Sequence, residues 1–274
     1  MQESKHIRHY HRHFGFSYPV SIQQRIYSLV LLPLFILLAS FVILFFIAAF
    51  SLPSLATIPF SYLIDALLAT LARLTIAFIL ALVLAIPVAL AINHNSATER
   101  FLLPLFDIIQ SIPALAFFPI IILFFIRFNF LNGAAIFILF LSMLWNIVFN
   151  LIGGLKVIPG DIKAAAQVLQ IKGFAYIQKV LLPSVFPYLV TGSLLAWAQA
   201  WNVTIVAEVL HTYIPGGDPN QDLFGLGSIL VSSVSSGQHA IFFAALFMMI
   251  VAIALLNFFV WQKLLRYAEK YKFE

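Results

Sequence analysis

The chain has 274 residues, of which 63% are hydrophobic and 9% are charged, and its mean hydropathy is +1.04. A water-soluble domain of this length cannot bury so much apolar surface, so the composition excludes a soluble fold and makes lipid the solvent for most of the chain. The net charge of +5 is compatible with nucleic acid binding, but the positions of the basic residues point to membrane topology instead. The absence of cysteine excludes disulfides and Cys-ligated metal sites.

The N-terminal stretch 1–25 is basic and rich in histidine. Imidazole is a good ligand for Zn²⁺, but no acidic or cysteine neighbour in a predicted helix or turn accompanies these side chains. We therefore interpret the stretch as a tail close to anionic lipid and predict no metal site in it. The histidines concerned are His6, His9, His11 and His13.

Six long apolar runs predict six transmembrane helices, because about 20 apolar residues cross a hydrocarbon core. The first run is too long for a signal-peptide core and lacks a cleavage site, so we expect it to be retained. The sequence thus predicts an all-α polytopic membrane protein with a six-helix domain over 26–264 and a C-terminal tail over 265–274. The predicted spans are 26–50, 63–92, 102–126, 131–155, 185–210 and 240–264.

The basic residues are distributed unevenly between the two sides of these spans. All of the 15 except Arg73 and Arg127 lie in 1–25, between spans two and three, in the loop 156–183, or at the end of span six and beyond. By the positive-inside rule, these segments and both termini are predicted to be cytoplasmic.

Three ionisable residues lie within the predicted spans: Arg73, Asp107 and Glu208. A charge at membrane depth is costly unless it is paired or hydrated, so each is a candidate for the transport pathway or its gate. Arg73 and Glu208 both fall in the outer half of the membrane. Two interpretations stay open for them, a pathway lining and a structural ion pair.

Span three is predicted to bend or break around Asp107, because Pro104 and Pro113 free backbone groups there. A break exposes carbonyls to a cavity, so Gln110 and Ser111 join Asp107 as candidates for the pathway or gate. A packing kink is the alternative interpretation. Softer candidates in span five are Gln199, Trp201 and Asn202, since amide side chains in a bundle often bond between helices.

The cytoplasmic loop 156–183 combines charges with helical periodicity. Its Ala164-Ala165-Ala166 run favours helix, and apolar residues recur at helical spacing after it. We predict amphipathic helices at the membrane surface that dock a partner, with a solvated connector as the alternative. Pro183 is expected to mark the start of span five, because proline is tolerated in the first turn of a helix.

This loop resembles that of permease subunits of binding-protein-dependent ABC importers, in the branch that handles sulfonates, taurine and nitrate. The family pattern runs from Glu-Ala-Ala through a glycine to a hydrophobic-X-Leu-Pro ending. Here Ala164 stands at the Glu position and Gln170 at the Gly position, with a glycine only at Gly173. The resemblance extends over about 67–230. The other residues that match the family are Leu71-Ala-Arg73, the stretch from Pro104 to Pro113, Trp201, Ala207-Glu208 and Gly225-Leu-Gly227.

The resemblance implies a type I importer fold in the inner membrane. It implies a second permease chain, ATPase subunits that use ATP and Mg²⁺, and an external solute-binding receptor, with no cofactor bound by this chain. ATPase coupling is assigned by resemblance to seven loop residues: Ala164, Ala165, Ala166, Gln170, Lys172, Gly173 and Pro183.

Two other function classes are less well supported by the sequence. An ion-coupled secondary transporter is the alternative, but no repeat relates the two halves of the chain. An enzyme needs a constellation of catalytic or metal-binding side chains, and no such motif is evident. The chain also lacks a phosphate-binding Gly-Lys loop, so any ATPase is a separate polypeptide.

Overall fold

The computed structural model describes residue 40 and residues 59–94, 96–214 and 216–271. The predicted tail 1–25, with its histidines, and nearly all of the predicted first span 26–50 lie outside the described residues. From residue 59 onward the described residues belong to one compact unit.

The described part of the chain is helical. Helices α2 and α3 are separated by a 3₁₀ turn at Ala114–Phe117, and π turns occur within α6 at Ile177–Leu181 and within α8 at Asn257–Trp261. The helices are α1 (Phe60–His94), α2 (Ser96–Ser111), α3 (Phe118–Ile126), α4 (Leu131–Lys156), α5 (Gly160–Val168), α6 (Phe174–Glu208), α7 (Leu226–Ser235) and α8 (His239–Tyr271).

Four described helices, α1, α4, α6 and α8, are long and apolar enough to cross a membrane. They coincide with predicted spans two, four, five and six. Helices α2 and α3 together make a fifth candidate span, bent by 78°. The described residues therefore confirm an all-α membrane fold with four or five candidate spans.

The bend in span three lies at Pro113, as the sequence predicts for one of its two prolines. Helix α2 ends at Ser111, and Pro113 has φ −56° and ψ 119°, outside the helical region. Pro104 lies inside α2 without ending it. A proline also restricts the residue before it, which explains why helical geometry stops at Ile112.

The prediction for Pro183 is correct in one part and wrong in the other: the proline lies in the first turn of the α-helical stretch Leu182–Glu208, but the surface helix does not end before it. Helix α6 starts at Phe174 and continues through Pro183 to Glu208. In the π turn that precedes the proline, the N–H of Leu182 donates to the carbonyl of Ile177, five residues back. This wider turn shifts the hydrogen-bond register, so the helix accommodates a residue without an N–H. The loop is consequently joined to the span by unbroken helix.

Helix α4 is central and packs against both α1 and α6. Helix α1 contributes alanines at every fourth position, and α6 contributes Gly192, whose missing Cβ would lie 2.8 Å from Cβ of Asn150 on α4. Small residues allow helix backbones to approach closely in lipid. The fully buried alanines of this row in α1 are Ala77, Ala81, Ala85 and Ala89.

Candidate functional site

Arg73 and Glu208 form a buried ion pair in which Nη1 of Arg73 lies 2.7 Å from Oε1 of Glu208. The two residues are 7% and 1% exposed. Thr70, one turn before Arg73 on α1, donates its hydroxyl to the same carboxylate oxygen at 2.7 Å. A buried charge requires such partners, because an unpaired one is strongly destabilising.

The remaining polar atoms of the pair are also occupied. The N–H of Gly227 donates to Oε2 of Glu208 at 2.7 Å, and Nη2 of Arg73 donates to the carbonyl of Phe224 at 2.6 Å. Nε of Arg73 donates to Oδ1 of Asn132, at the start of α4. We call the five residues whose side chains or N–H groups make these bonds the buried polar cluster: Thr70, Arg73, Asn132, Glu208 and Gly227.

The buried polar cluster joins four helices at one end of the bundle. It draws side chains from α1, α4 and α6 and a backbone N–H from the first turn of α7. Leu226 reinforces the junction, since its N–H donates to the Thr70 hydroxyl at 2.9 Å. The sequence left open whether Arg73 and Glu208 line the pathway or form a structural ion pair. In this conformation they form an ion pair that is buried from solvent.

Gly225 explains part of the Gly225-Leu-Gly227 motif. A Cβ at residue 225 would collide with the carboxylate of Glu208, and one at Gly227 would lie 2.8 Å from Cα of Ile205 and 2.9 Å from Oε2 of Glu208. Both glycines are therefore required by close approach to the end of α6.

The segment between α6 and α7 is stabilised by a second carboxylate, that of Asp222. Its Oδ1 accepts from the N–H groups of Leu210 and His211 at 2.8 and 3.0 Å, and its Oδ2 lies 2.8 Å from Nδ1 of His211. The ring of Tyr213 packs on that of Phe118 at the start of α3. This segment thus contacts the helix that follows the bend.

Asp107, Gln110 and Ser111 form one exposed polar group on α2. Gln110 donates to Oδ1 of Asp107 at 2.8 Å, and the Ser111 hydroxyl donates to the Asp107 carbonyl. All three side chains are exposed at the end of α2, immediately before the bend.

The candidates on α6 divide between two environments. Trp201 is buried, whereas Gln199 and Asn202 are exposed, and Asn202 donates to the carbonyl of Ala198 on its own helix. Within the described ranges, no hydrogen bond links these residues to the polar group on α2 or to the buried polar cluster. The structure therefore brings together Arg73 and Glu208, and separately Asp107, Gln110 and Ser111.

The loop 156–183, which the sequence predicts to be cytoplasmic, contains helix α5, which ends in a Schellman motif. The N–H of Ile171 donates to the carbonyl of Ala166 at 2.9 Å, and that of Gln170 donates to the carbonyl of Gln167 at 3.0 Å. Gln170 has φ +54°, the left-handed conformation that favours glycine. The residue at the family's Gly position thus keeps the conformation of glycine without being one.

The loop residues differ in accessibility. Ala166 is buried, while Ala164, Ala165, Gln170, Lys172 and Gly173 are exposed. At the base of the loop, Nζ of Lys156 lies 2.7 Å from Oε1 of Glu99 in the first turn of α2. This half-exposed pair connects the loop to the bent span.

Sequence reasoning missed Thr70, Asn132 and Asp222. Thr70 had a usable signal, because residues three apart on a helix share a face and Thr70 precedes Arg73 by three. Asn132 and Asp222 had none, since they reach their partners only through tertiary contacts. No group of three or more potential metal ligands occurs among the residues that the structure describes.

Comparison with known proteins identifies the wider relationship. Residues 79–262 match the family model described as the binding-protein-dependent transport system inner membrane component. The bicarbonate transport system permease protein of Synechococcus elongatus is 33% identical over 149 residues, covering 54% of this chain and 52% of that protein. The nitrate import permease protein of Leptolyngbya laminosa is 30% identical over 172 residues, covering 63% and 57%.

A protein of Bacillus subtilis whose name assigns it provisionally to aliphatic sulfonate transport is 27% identical over 138 residues, covering 50% of this chain and 49% of that protein. The chain spans about half the length of the relatives that it matches. The family model covers more than half of the present chain. The chain therefore belongs to the family of binding-protein-dependent transport system inner membrane components.

Proposed function

We propose that the chain is the membrane-spanning permease subunit of an ATP-driven importer for a small anion. Family membership supports a role in transport rather than in an enzymatic reaction. The solutes in the names of the relatives, bicarbonate, nitrate and aliphatic sulfonates, are all small anions. A solute of this class is accordingly the proposed cargo.

The observation that carries the proposal is the apolar tip of the cytoplasmic loop. Val168, Leu169 and Phe174 are 82%, 70% and 76% exposed, within a loop that also carries Lys163 and Lys172. Apolar residues that cluster on a water-facing surface mark a protein interaction site. Because α6 runs without interruption from this tip to Glu208, a push on the tip is transmitted along the span.

The proposed assembly has six spans in each permease chain and both termini in the cytoplasm. The distribution of basic residues supports this orientation. One chain supplies one docking loop, whereas an ATP sandwich between two ATPase subunits needs two, so a second permease chain completes the complex. An external solute-binding protein delivers the cargo.

The polar group Asp107, Gln110 and Ser111 is proposed to line the pathway or its gate. Its exposure at the bend of span three supports this role, since irregular backbone at membrane depth is tolerated where it lines a cavity. Arg73 is fully engaged by the buried polar cluster. Discrimination of the anion is therefore assigned to the external receptor rather than to Arg73.

Cysteine crosslinking tests the proposed coupling. The chain contains no cysteine, so each introduced thiol is unique. Val168→Cys and Lys172→Cys are expected to crosslink to the ATPase subunit in native membranes, with a yield that changes when ATP is added. Ala166→Cys is the matched control, because its side chain is buried and should not react. Absence of any crosslink from the exposed positions would refute the coupling role of the loop.

A further inference from the structure

Helix α8 carries a row of polar side chains that the proposed transport function does not use. Asn257, Gln262 and Arg266 are all exposed. The π turn at Asn257–Trp261 aligns the first two, and Nε2 of Gln262 lies 3.4 Å from Oδ1 of Asn257. Residues five apart on an ordinary α-helix do not share a face, so the row depends on the π turn, a feature often found at functional sites.

The row forms one side of an open groove of about 560 Å³. Its described lining residues are Ala254, Asn257, Phe258, Gln262 and Arg266. The groove therefore has an apolar end, at Ala254 and Phe258, and a cationic end, at Arg266. Phe258 is 74% exposed, so the apolar end is open.

Arg266 is the available cation of this groove. Its Nε donates to the carbonyl of Gln262 at 3.3 Å, while its two Nη atoms make no hydrogen bond or ion pair with any residue in the described ranges. The neighbouring cations are engaged elsewhere, since Lys263 lies over the ring of Phe259 and Lys270 over that of Tyr267. A guanidinium group with free Nη atoms is suited to bidentate binding of a phosphate.

The position of the groove along α8 indicates which kind of phosphate compound it binds. At 1.5 Å per residue, Asn257, Gln262 and Arg266 lie about 27, 35 and 40 Å along α8 from His239. The hydrocarbon core is about 30 Å thick, and headgroups extend the bilayer to about 40–45 Å. Long side chains on a helix lean towards its N-terminus, so Arg266 reaches back to the level of the headgroups while Phe258 faces acyl chains.

We propose that this groove is a binding site for one anionic phospholipid. The Arg266 guanidinium and the Gln262 amide hold the phosphate, Asn257 orients the Gln262 amide, and an acyl chain lies over Ala254 and Phe258. The site is independent of cargo and of the ATPase, so its test does not depend on the transport proposal.

The test uses the full chain, reconstituted in phosphatidylcholine with a minor fraction of phosphatidylglycerol, then extracted in mild detergent. Mass spectrometry measures the enrichment of phosphatidylglycerol over phosphatidylcholine among the lipids retained. Arg266→Gln is expected to lower this enrichment about tenfold, as expected for loss of a charged hydrogen-bonded contact. Gln262→Ala is expected to lower it less, and excess inorganic phosphate is expected to leave it unchanged.

Lys263→Gln is the matched control, because it removes the same charge three residues earlier on the same helix, from a residue that does not line the groove. An equal loss in Lys263→Gln and Arg266→Gln would reduce the effect to diffuse charge attraction and overturn the proposal. Displacement by inorganic phosphate would assign the site to a soluble anion instead, and absence of enrichment in the unmodified chain would also overturn it.

A second measurement covers the case in which Arg266→Gln misfolds, judged by its size-exclusion profile. A spin label is attached at Phe258→Cys, and the phosphatidylglycerol carries a second nitroxide close to its headgroup. The spectrum of the protein's label is expected to broaden when the lipid is bound. Absence of broadening would show that phosphatidylglycerol does not occupy the groove, and the lipid site would be refuted.

Discussion

Arg73 and Glu208 are 135 positions apart in the chain, yet Nη1 of the first lies 2.7 Å from Oε1 of the second. The pair is directional. The carboxylate accepts from the Thr70 hydroxyl and from the Gly227 N–H, while the guanidinium donates to the carbonyl of Phe224. These three neighbouring groups thus require the carboxylate to be on α6 and the guanidinium to be on α1.

Exchange of the two charges is therefore expected to fail. Arg73→Gln should destabilise the protein by about 3–5 kcal/mol, because a buried carboxylate loses its counter-ion. Combining Arg73→Glu with Glu208→Arg should leave most of this loss in place, since an arginine at 208 faces the Gly227 N–H. Thermal unfolding in detergent measures the effect.

The exposed pair of Glu99 and Lys156 is the control for this exchange. Neither residue has a further hydrogen bond in the described structure, but Glu99 lies in the first turn of α2 and Lys156 in the last turn of α4. The exchange Glu99→Lys with Lys156→Glu therefore opposes both helix dipoles and should cost about 1–2 kcal/mol, less than the buried exchange. Full recovery of stability in the buried exchange would show that the neighbouring groups impose no direction.

Gln170→Gly is expected to stabilise the protein. The side chain at 170 is held at φ +54°, and relief of this conformation should gain about 0.5–1 kcal/mol. Gln167→Gly, inside α5, is the matched control and should cost about 1 kcal/mol. The melting temperatures of the two variants should move in opposite directions; a shift of both to lower temperature would contradict the prediction.

The adjacent glycines of α4 are expected to respond differently to alanine. A Cβ at Gly154 would lie 2.6 Å from Cγ of Tyr188 on α6, whereas a Cβ at Gly153 meets nothing within 4 Å. Gly154→Ala should destabilise the protein by about 1–3 kcal/mol, because Cγ of Tyr188 cannot move away unless the backbone of α6 moves with it. Gly153→Ala should be neutral or stabilising by up to about 1 kcal/mol. Equal melting temperatures would refute the close packing of α4 and α6.

Asp222→Ala is expected to loosen the segment between α6 and α7. The N–H groups of Leu210 and His211 lose their acceptor, a loss of about 1–3 kcal/mol in local stability. Hydrogen exchange at these two amides should accelerate about tenfold or more. Asp218→Ala, which removes only a cap on Asn220, should leave them unchanged. Unchanged exchange in Asp222→Ala would exclude the carboxylate as their anchor.

Among the described residues, the sequence predicts spans two, four, five and six well, because lipid imposes long apolar helices with clear ends. The bend at Pro113 could also be predicted from the sequence, since it follows from the chemistry of one residue. Pro183 lies in the first turn of the α-helical stretch, as predicted, but the expected end of the surface helix is absent because a π turn, which no residue type specifies, keeps the helix continuous. The partners of Glu208 required the fold, because residues distant in sequence come from α1 and α7.

The alanines of α1 have a mechanical consequence. A face of methyl groups presents no ridges, so it offers little resistance when a neighbouring helix slides or tilts against it. The axial register of α1 is instead set near Arg73, where directional bonds hold four helices. The polar bonds in the first half of α1 thus fix its register, and the alanine row at 77–89 adds no further directional constraint.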